Sequence, residues 1–272
     1  MRIVNYATGV VGREGLIAKV AALYRFDFSL QINQFYSIIT DRRLHLGGIM
    51  KIKGAIFDMD GTIIDSLMFW DYLWKQIGEK YLDNAHFRPN DEVNKNVRTM
   101  IYVDAMTYFK NYYSIPVDTD EFISFTSSGI FDFYKNVAKV KPGAERLLAS
   151  LKEQNIKLCL ASATAMPEVR YALECHDLLK YFDLVISCAD IGVGKDKPDI
   201  YIKAKSLMGI SESDICVFED SYVALETAKA AGFQTVGIYE RYNFEQERLK
   251  RAADIYLDEL QSLNDLITVI TT

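Results

Sequence analysis

The sequence predicts an α/β fold, a Rossmann-like parallel sheet with helices on both faces and a small all-α domain inserted after the first strand. Three observations support this prediction. From Met50 onward, short apolar runs alternate with helical stretches, which is typical of parallel sheets with crossover helices. Residues 67–139 break that alternation with a long helical stretch. Acidic, hydroxyl and basic side chains follow the apolar runs, where the carboxyl ends of parallel strands would meet.

Short apolar runs bounded by polar or turn residues predict the strands of the sheet. In chain order, these runs span residues 52–57, 156–160, 182–187, 215–218 and 235–238, with an edge strand at 255–257. The helices between them begin at prolines. Pro142, Pro167 and Pro198 each suit a first helical turn, because the missing N–H costs nothing there. Ser221 is expected to cap a further helix that stops at Gly232.

The predicted organisation has a core and a cap. Residues 50–66 and 140–272 are expected to form the α/β core domain, and residues 67–139 the helical cap domain. The cap segment holds about half of the aromatic residues of the chain. Most of these rings are expected to build the core of a small helical domain, and some are expected to line a substrate cleft.

The first 49 residues fit neither part. Gly47 and Gly48 shortly precede Met50, and two consecutive glycine codons can encode the purine-rich run of a bacterial ribosome-binding site. We therefore interpret residues 1–49 as a poorly ordered N-terminal extension, and specifically as translated leader before a natural start at Met50. The alternative is a genuine N-terminal extension of the protein.

The charge balance disfavours nucleic acid as a partner. The 272 residues carry a formal net charge of −6, whereas phosphate backbones demand a basic face. The sequence has neither an apolar run of the roughly 20 residues that a membrane helix needs nor a signal-peptide core. Cys159 and Cys216 lie in apolar runs, where we expect burial. We predict a cytoplasmic monomer without nucleic-acid or membrane partners.

Two aspartates follow the first predicted strand directly. Asp58 and Asp60 are two residues apart, so their side chains share one face of an extended backbone. Gly61 lets the chain turn away sharply after them. Carboxylates this close repel one another unless a cation lies between them, which indicates an ion-binding site. The alternative interpretation is a solvated acidic turn.

A hydroxyl and a lysine are expected at the same edge of the sheet. Ser162 follows the second predicted strand, where its side chain and the neighbouring backbone N–H groups can hold a phosphate oxygen. The loop after the third strand contains Lys195 and Lys197, and either amine can offer a positive charge to an anion. A turn serine and solvated lysines are the ordinary explanations of these residues.

A second pair of acids ends the fourth predicted strand. Glu219 and Asp220 follow an apolar run, which is costly unless a cation or hydrogen-bond donors meet them. Mg²⁺ fits such a place, since it takes oxygen ligands and prefers one or two carboxylates together with substrate phosphate. An acidic helix cap would explain one of these acids but not both.

In order and spacing, these residues resemble the four motifs of the haloacid dehalogenase-like hydrolase superfamily. The pattern is similar to its β-phosphoglucomutase-like branch, and consists of Asp-Met-Asp-Gly-Thr-Ile-Ile-Asp-Ser (58–66), Ser162, Lys-x-x-Pro-Asp (195–199) and Glu-Asp-Ser (219–221). The resemblance covers about residues 50–260.

The resemblance implies a role for each motif residue. Asp58 would attack phosphorus to form an aspartyl-phosphate, and Asp60 would protonate the leaving oxygen and then activate water. The motif lysine corresponds to Lys195, three residues before the proline, although Lys197 adds a second amine. The implied phosphate-binding residues are Gly61, Ser162, Ala163 and Lys195. The implied ligands of a Mg²⁺ cofactor are Asp58, Glu219, Asp220 and the Asp60 carbonyl.

We therefore predict a Mg²⁺-dependent phosphatase that hydrolyses a small phosphorylated metabolite, such as a sugar phosphate. Asp60 favours phosphate-ester chemistry, because dehalogenases and phosphonate hydrolases of the superfamily lack an aspartate there. Sugar phosphomutases of the branch carry a cap histidine where this chain has Trp70. The missing histidine disfavours a mutase, which is therefore the second candidate. A non-catalytic binding protein on this fold is the third.

Overall fold

The computed structural model describes residues 49–97, 100 and 102–271. The predicted N-terminal extension, residues 1–49, lies outside the described residues except for Ile49. The hypothesis that this segment is translated leader therefore stays a prediction.

The strands form one large sheet and two short pairs. In chain order they are β1 (Met50–Lys51), β2 (Gly54–Phe57), β3 (Ile64–Asp65), β4 (Lys139–Val140), β5 (Lys157–Ser162), β6 (Leu184–Ser187), β7 (Ile215–Glu219), β8 (Gln234–Ile238), β9 (Ile255–Leu257) and β10 (Ile270–Thr271). Six of these strands pair in parallel in the order β6-β5-β2-β7-β8-β9. The predicted parallel sheet, with its edge strand at 255–257, is confirmed.

The helices divide into a group before β4 and a group after it. In chain order they are α1 (Phe69–Tyr81), α2 (Asp91–Val97), α3 (Tyr102–Tyr112), α4 (Thr119–Asn136), α5 (Ala144–Glu153), α6 (Met166–Cys175), α7 (Cys188–Ile191), α8 (Asp199–Met208), α9 (Tyr222–Ala230) and α10 (Gln246–Ala252). Helices α1–α4 all lie between the central strand β2 and its neighbour β5 in the chain. We call residues 69–136 the helical insert.

The two faces of the sheet carry separate hydrophobic cores. Along β2, Ala55 and Phe57 belong to one cluster and Ile56 to the other, because side chains alternate across a strand. The first cluster includes Leu147 of α5, and the second includes Tyr201 of α8. The prediction of helices on both faces is confirmed.

The register of β2 brings the predicted motifs to one edge. Phe57 at the end of β2 lies opposite Leu160 of β5 and Phe218 of β7, and all three strands run in parallel. The residues that follow these positions therefore leave the sheet at the same carboxyl edge. This is where ligands bind in open α/β sheets.

The helical insert has an aromatic core of its own. Trp74 of α1 is 1% exposed and stacks on Phe109 of α3, with ring centroids 4.7 Å and planes 10° apart. Phe122 of α4 is fully buried in the same cluster. These rings form core, as the sequence predicted for most aromatic residues of this segment.

Two short strands attach the insert to the sheet. β3 and β4 pair antiparallel, with Ile64 opposite Val140 and Asp65 opposite Lys139. Each strand has two residues, which is too short to show a period-2 pattern, so the sequence did not predict this pair. The chain thus leaves and re-enters the core at neighbouring points.

Within the described residues, no helix combines the length and apolar character needed to cross a bilayer. Cys159 and Cys216 are fully buried, as predicted. The cytoplasmic location, the monomeric state and the exclusion of nucleic acid stay predictions.

Candidate active site

Asp58 lies at the carboxyl end of β2, just after the backbone leaves the sheet. Its N–H donates to the Phe218 carbonyl at 3.0 Å, so the residue remains tied to β7. Asp58 is 7% exposed. A carboxylate this buried needs donors or a cationic partner.

Lys195 supplies a cationic partner. Its Nζ contacts Asp58 Oδ1 and lies 2.6 Å from Glu219 Oε1. Burial opposes the charge on the amine, but Asp58 and Glu219 outweigh burial and raise the pKa of Lys195 above its usual value. The lysine therefore stays protonated between two carboxylates. Lys197, the other candidate amine, is exposed.

Three buried carboxylates lie together at the ends of β2 and β7. Asp58, Glu219 and Asp220 each offer an oxygen, and these oxygens lie within 4.8 Å of one another. Burial raises the pKa of Asp58 to about 7 despite Lys195, with a contribution from Glu219 and Asp60. Burial and the neighbouring Asp58 and Glu219 raise the pKa of Asp220 well above its usual value.

This donor set fits a divalent metal ion. Three buried carboxyl groups share this place, and Lys195 contacts two of them with a single positive charge. A hard cation with oxygen ligands would balance the remaining negative charge, and carboxylate oxygens are the ligands that Mg²⁺ takes in proteins. The residues present therefore suit the metal that the sequence implied.

Gly61 is required by the close approach of Asp220. Its φ is +84°, a left-handed conformation, and a Cβ at this position would lie 2.5 Å from Asp220 Oδ2. Thr62 Oγ1 donates to Asp220 Oδ1 at 3.3 Å. The contact with phosphate that the resemblance implies for Gly61 stays a prediction; in the structure the glycine lies against Asp220.

Asp60 is held by three hydroxyl groups. Ser66 Oγ and Tyr134 Oη both donate to Oδ1 at 2.7 Å, and Thr164 Oγ1 donates to Oδ2 at 2.7 Å. Tyr134 belongs to α4, and is therefore a contribution of the helical insert. Burial and the nearby Asp60 raise the pKa of Tyr134 well above its usual value, so the phenol stays neutral and donates.

Ser162 is the last residue of β5 and is 1% exposed. Its Oγ accepts from the Thr164 N–H at 3.0 Å, which leaves the hydroxyl proton free to be donated to a ligand oxygen. Ala163 is exposed in the turn between these residues. Its predicted contact with phosphate stays a prediction.

Tyr201 of α8 holds the carboxylate of Glu219 by a hydrogen bond. Its Oη donates to Glu219 Oε1 at 3.1 Å and the residue is fully buried. Burial, together with Glu219 and Asp58, raises the pKa of Tyr201 well above its usual value. Lys195 and Tyr201 both contact Oε1, and Oε2 accepts from the Ser221 N–H at 3.4 Å.

The loop after β8 joins the site to the strands that attach the insert. Asn243 Nδ2 donates to the Asp220 carbonyl. Glu240 is 2% exposed and lies 2.6 Å from Lys141 Nζ, just after β4, while Arg241 lies 3.3 Å from Asp65 of β3. A cavity of about 200 Å³ lies beside this loop, lined among others by Asp65, Lys141, Pro142, Arg241, Leu257 and Ser262.

Sequence reasoning missed several residues that contact predicted site residues, among them Thr164, Tyr134, Tyr201 and Asn243. Thr164 could have been found, because it lies two residues after Ser162 in the same turn. Tyr134 and Tyr201 carried no signal, since each is one ring among many at helical spacing and its contact depends on tertiary packing.

Comparison with known proteins finds a matching family model and related enzymes that act on phosphorylated compounds. The family model for haloacid dehalogenase-like hydrolases matches residues 52–232. The chain is 24% identical to the phosphorylated carbohydrates phosphatase of Thermotoga maritima over 80% of this chain and 100% of that protein. It is 28% identical to the beta-phosphoglucomutase of Bacillus subtilis over 69% of this chain and 83% of that protein.

A solved structure shares the fold. The crystal structure of a putative beta-phosphoglucomutase from Thermotoga maritima matches with a TM-score of 0.68 and 23% identity. The match covers 80% of this chain and 98% of that chain. At this identity the match establishes the fold alone.

Proposed function

The chain belongs to the haloacid dehalogenase-like hydrolase family, in its β-phosphoglucomutase-like branch, and we propose that it is a Mg²⁺-dependent phosphatase for a small phosphorylated metabolite. One observation carries this proposal. Asp58 lies buried beside Lys195, and its carboxylate lies close enough to those of Glu219 and Asp220 for the three to share a metal ion. A nucleophile, a cation for the phosphoryl group and a metal site are thereby within one cluster.

In the proposed reaction, Asp58 attacks phosphorus and the bond to the leaving oxygen breaks, giving an aspartyl-phosphate. Lys195 holds Asp58 in place and offers its charge to a phosphoryl oxygen. The Ser162 hydroxyl group donates a hydrogen bond to another phosphoryl oxygen. When bound by Asp58, Asp60, Glu219 and Asp220, Mg²⁺ would neutralise charge between the nucleophile and the phosphate.

Asp60 provides the proton chemistry of both steps. Its carboxyl group first gives a proton to the leaving oxygen, and its carboxylate then takes one from the water that attacks the aspartyl-phosphate. The three hydroxyl donors around it support this role, because they fix the orientation of the carboxyl group.

The helical insert is proposed to act as the cap domain. It is joined to the core through β3 and β4 and contacts Asp60 through Tyr134. A cap in this place would exclude bulk water while the aspartyl-phosphate forms and would contact the part of the substrate beyond the phosphate.

A sugar phosphomutase is the alternative, favoured by the relative from Bacillus subtilis. Trp70 of α1 opposes it, because its ring packs 5.4 Å from Trp74 and an indole cannot relay protons as a histidine does. A carbohydrate phosphate as substrate is supported by the Thermotoga maritima phosphatase.

Phosphate release from a panel of phosphorylated metabolites tests the proposal. The protein with Mg²⁺ should release inorganic phosphate from p-nitrophenyl phosphate and from at least one sugar phosphate. EDTA should abolish release, and Asp58→Asn should reduce it by on the order of 10⁴-fold. Asp190→Asn, an exposed change, is the matched control.

The alternatives give other outcomes in the same assay. Conversion of glucose 1-phosphate into glucose 6-phosphate without phosphate release would support a mutase. Binding without turnover of any compound would support the non-catalytic protein. Activity that EDTA or Asp58→Asn leaves intact would contradict the proposed mechanism.

A further inference from the structure

We propose that Tyr134 is a positioning residue for Asp60, which together with Ser66 occupies Oδ1 and leaves Oδ2 as the oxygen that transfers the proton. The inference rests on the proposed function, since it requires Asp60 to act as acid and base. It assigns one atom of Asp60 to the chemistry and the other to its orientation.

The hydrogen bonds around Asp60 divide unequally between its oxygens. Each carboxylate oxygen has two lone pairs for hydrogen bonds. Both pairs of Oδ1 are used by Ser66 and Tyr134, at 2.7 Å each. Oδ2 accepts from Thr164 at 2.7 Å and keeps its second pair for a proton. The free position therefore lies on Oδ2.

Tyr134 is the donor whose position depends on how the insert sits on the core. The residue is 5% exposed, near the end of α4 and next to Phe133 in the main core cluster. Helix α4 packs on α6 of the core, where the rings of Phe131 and Tyr171 lie 5.0 Å apart. Thr164, by contrast, is part of the core itself. Displacement of α4 would therefore remove one donor from Oδ1 and leave the donor on Oδ2 in place.

The assignment accounts for every proton in the two steps. In the first, the proton on Oδ2 moves to the leaving oxygen as the Asp58–phosphorus bond forms and the ester bond breaks. In the second, a proton of the attacking water returns to Oδ2 as the water oxygen bonds to phosphorus and the aspartyl-phosphate bond breaks. Tyr134 keeps its own proton throughout and acts only through Asp60.

Loss of the phenol should therefore lower kcat/KM most for substrates with poor leaving groups. An alkyl phosphate needs a proton on its leaving oxygen, whereas p-nitrophenolate leaves without one. The ratio kcat/KM reports the steps up to departure of the leaving group. In Tyr134→Phe, we expect kcat/KM to fall on the order of tenfold for the best alkyl phosphate of the panel and by less than about twofold for p-nitrophenyl phosphate.

Tyr72→Phe is the matched control, because Tyr72 Oη also donates to an aspartate within the insert, Asp132. It should leave the ratio between the two substrates unchanged. An equal fall for both substrates in Tyr134→Phe would overturn the proposal and indicate a general structural role.

A double variant tests whether Tyr134 acts through Asp60. In an Asp60→Asn background, adding Tyr134→Phe should lower kcat/KM for the alkyl phosphate no further. A further tenfold fall would mean that the phenol acts independently of Asp60, which contradicts the assignment.

The two proposals fail in different ways. An inactive wild type that equals Asp58→Asn would refute the phosphatase and this inference together. If the wild type is active but Tyr134→Phe and Tyr72→Phe give the same ratio of kcat/KM between the two substrates, only the inference is refuted. Circular dichroism checks folding, and if Tyr134→Phe does not fold, Ser66→Ala removes the other Oδ1 donor. Ser66→Ala should shift the substrate ratio in the same direction, and an unchanged ratio would overturn the proposal.

Discussion

The carboxyl edge of the sheet and the helical insert are built from opposite chemistry. At the edge, three carboxyl groups and Lys195 are buried together, and burial raises the pKa of Asp58 to about 7 although Lys195 opposes the shift. In the insert, Trp74 and Phe109 bury stacked rings. Buried like charges destabilise a fold, whereas buried rings stabilise it. We therefore expect substitutions at the edge to change chemistry and metal binding, and substitutions in the aromatic core of the insert to change stability.

After the loss expected for Asp58→Asn, the next largest effect separates the two lysines of the third motif. Lys195→Met removes the cation beside Asp58 and should lower kcat for phosphate release by on the order of 10³-fold. Lys197→Met, an exposed change of the same size, should stay within about twofold of the wild type. If Lys197→Met caused the larger loss, the assignment of the phosphate amine to Lys195 would be wrong.

In the insert, Trp74→Ala should mainly affect stability. It removes a ring that is 1% exposed, and the free energy of unfolding should fall by about 4 kcal/mol. Urea denaturation followed by circular dichroism measures this. Phe244→Ala, at a ring 98% exposed, is the control and should change stability by less than about 0.5 kcal/mol. A loss below about 1 kcal/mol in Trp74→Ala would contradict an insert held by aromatic packing.

Mg²⁺ should stabilise the protein through the edge of the sheet. At a hundredfold excess over its Kd, a ligand that binds only the folded state raises the free energy of unfolding by about 2.7 kcal/mol. Thermal unfolding with and without Mg²⁺ measures the gain, which Asp220→Asn should remove and the exposed change Asp190→Asn should preserve. A gain that persists in Asp220→Asn would place the ion elsewhere.

The smallest expected effect concerns the start of α4. The side chain of Asp118 accepts from the N–H groups of Asp120 and Glu121 at 2.8 and 3.4 Å. Asp118→Ala should lower the free energy of unfolding by about 1 kcal/mol, measured by urea denaturation. Asp120→Ala, exposed in the first turn, should cost less. Equal losses would show that first-turn charge, and not capping, matters here.

Residues at strand ends could be predicted because their positions follow from local sequence. Asp58, Ser162 and Glu219 each end or follow an apolar run, and parallel strands bring such ends together whatever the remaining packing. The family pattern then selected Lys195 over Lys197. The exposure of Lys197 agrees with that choice.

Contacts between distant segments could not be predicted in this way. Tyr134 lies 74 residues from its partner Asp60, and its hydrogen bond depends on how α4 packs against the core. The pair of two-residue strands β3 and β4 depends on the same packing. Hydrophobic periodicity describes which face of a helix is buried, but not which atom of another segment it meets.

The antiparallel pair of β3 and β4 brings together the two points at which the chain enters and leaves the insert. Because Ile64 and Val140 lie side by side, the core closes on itself at that point without residues 66–138. A tight turn of a few residues between paired antiparallel strands would suffice to bridge the gap. The length and sequence of the insert can therefore vary without changing the strand order of the sheet. The exception within this segment is the pair Ser66 and Tyr134, whose hydroxyl groups hold Asp60 at the carboxyl edge.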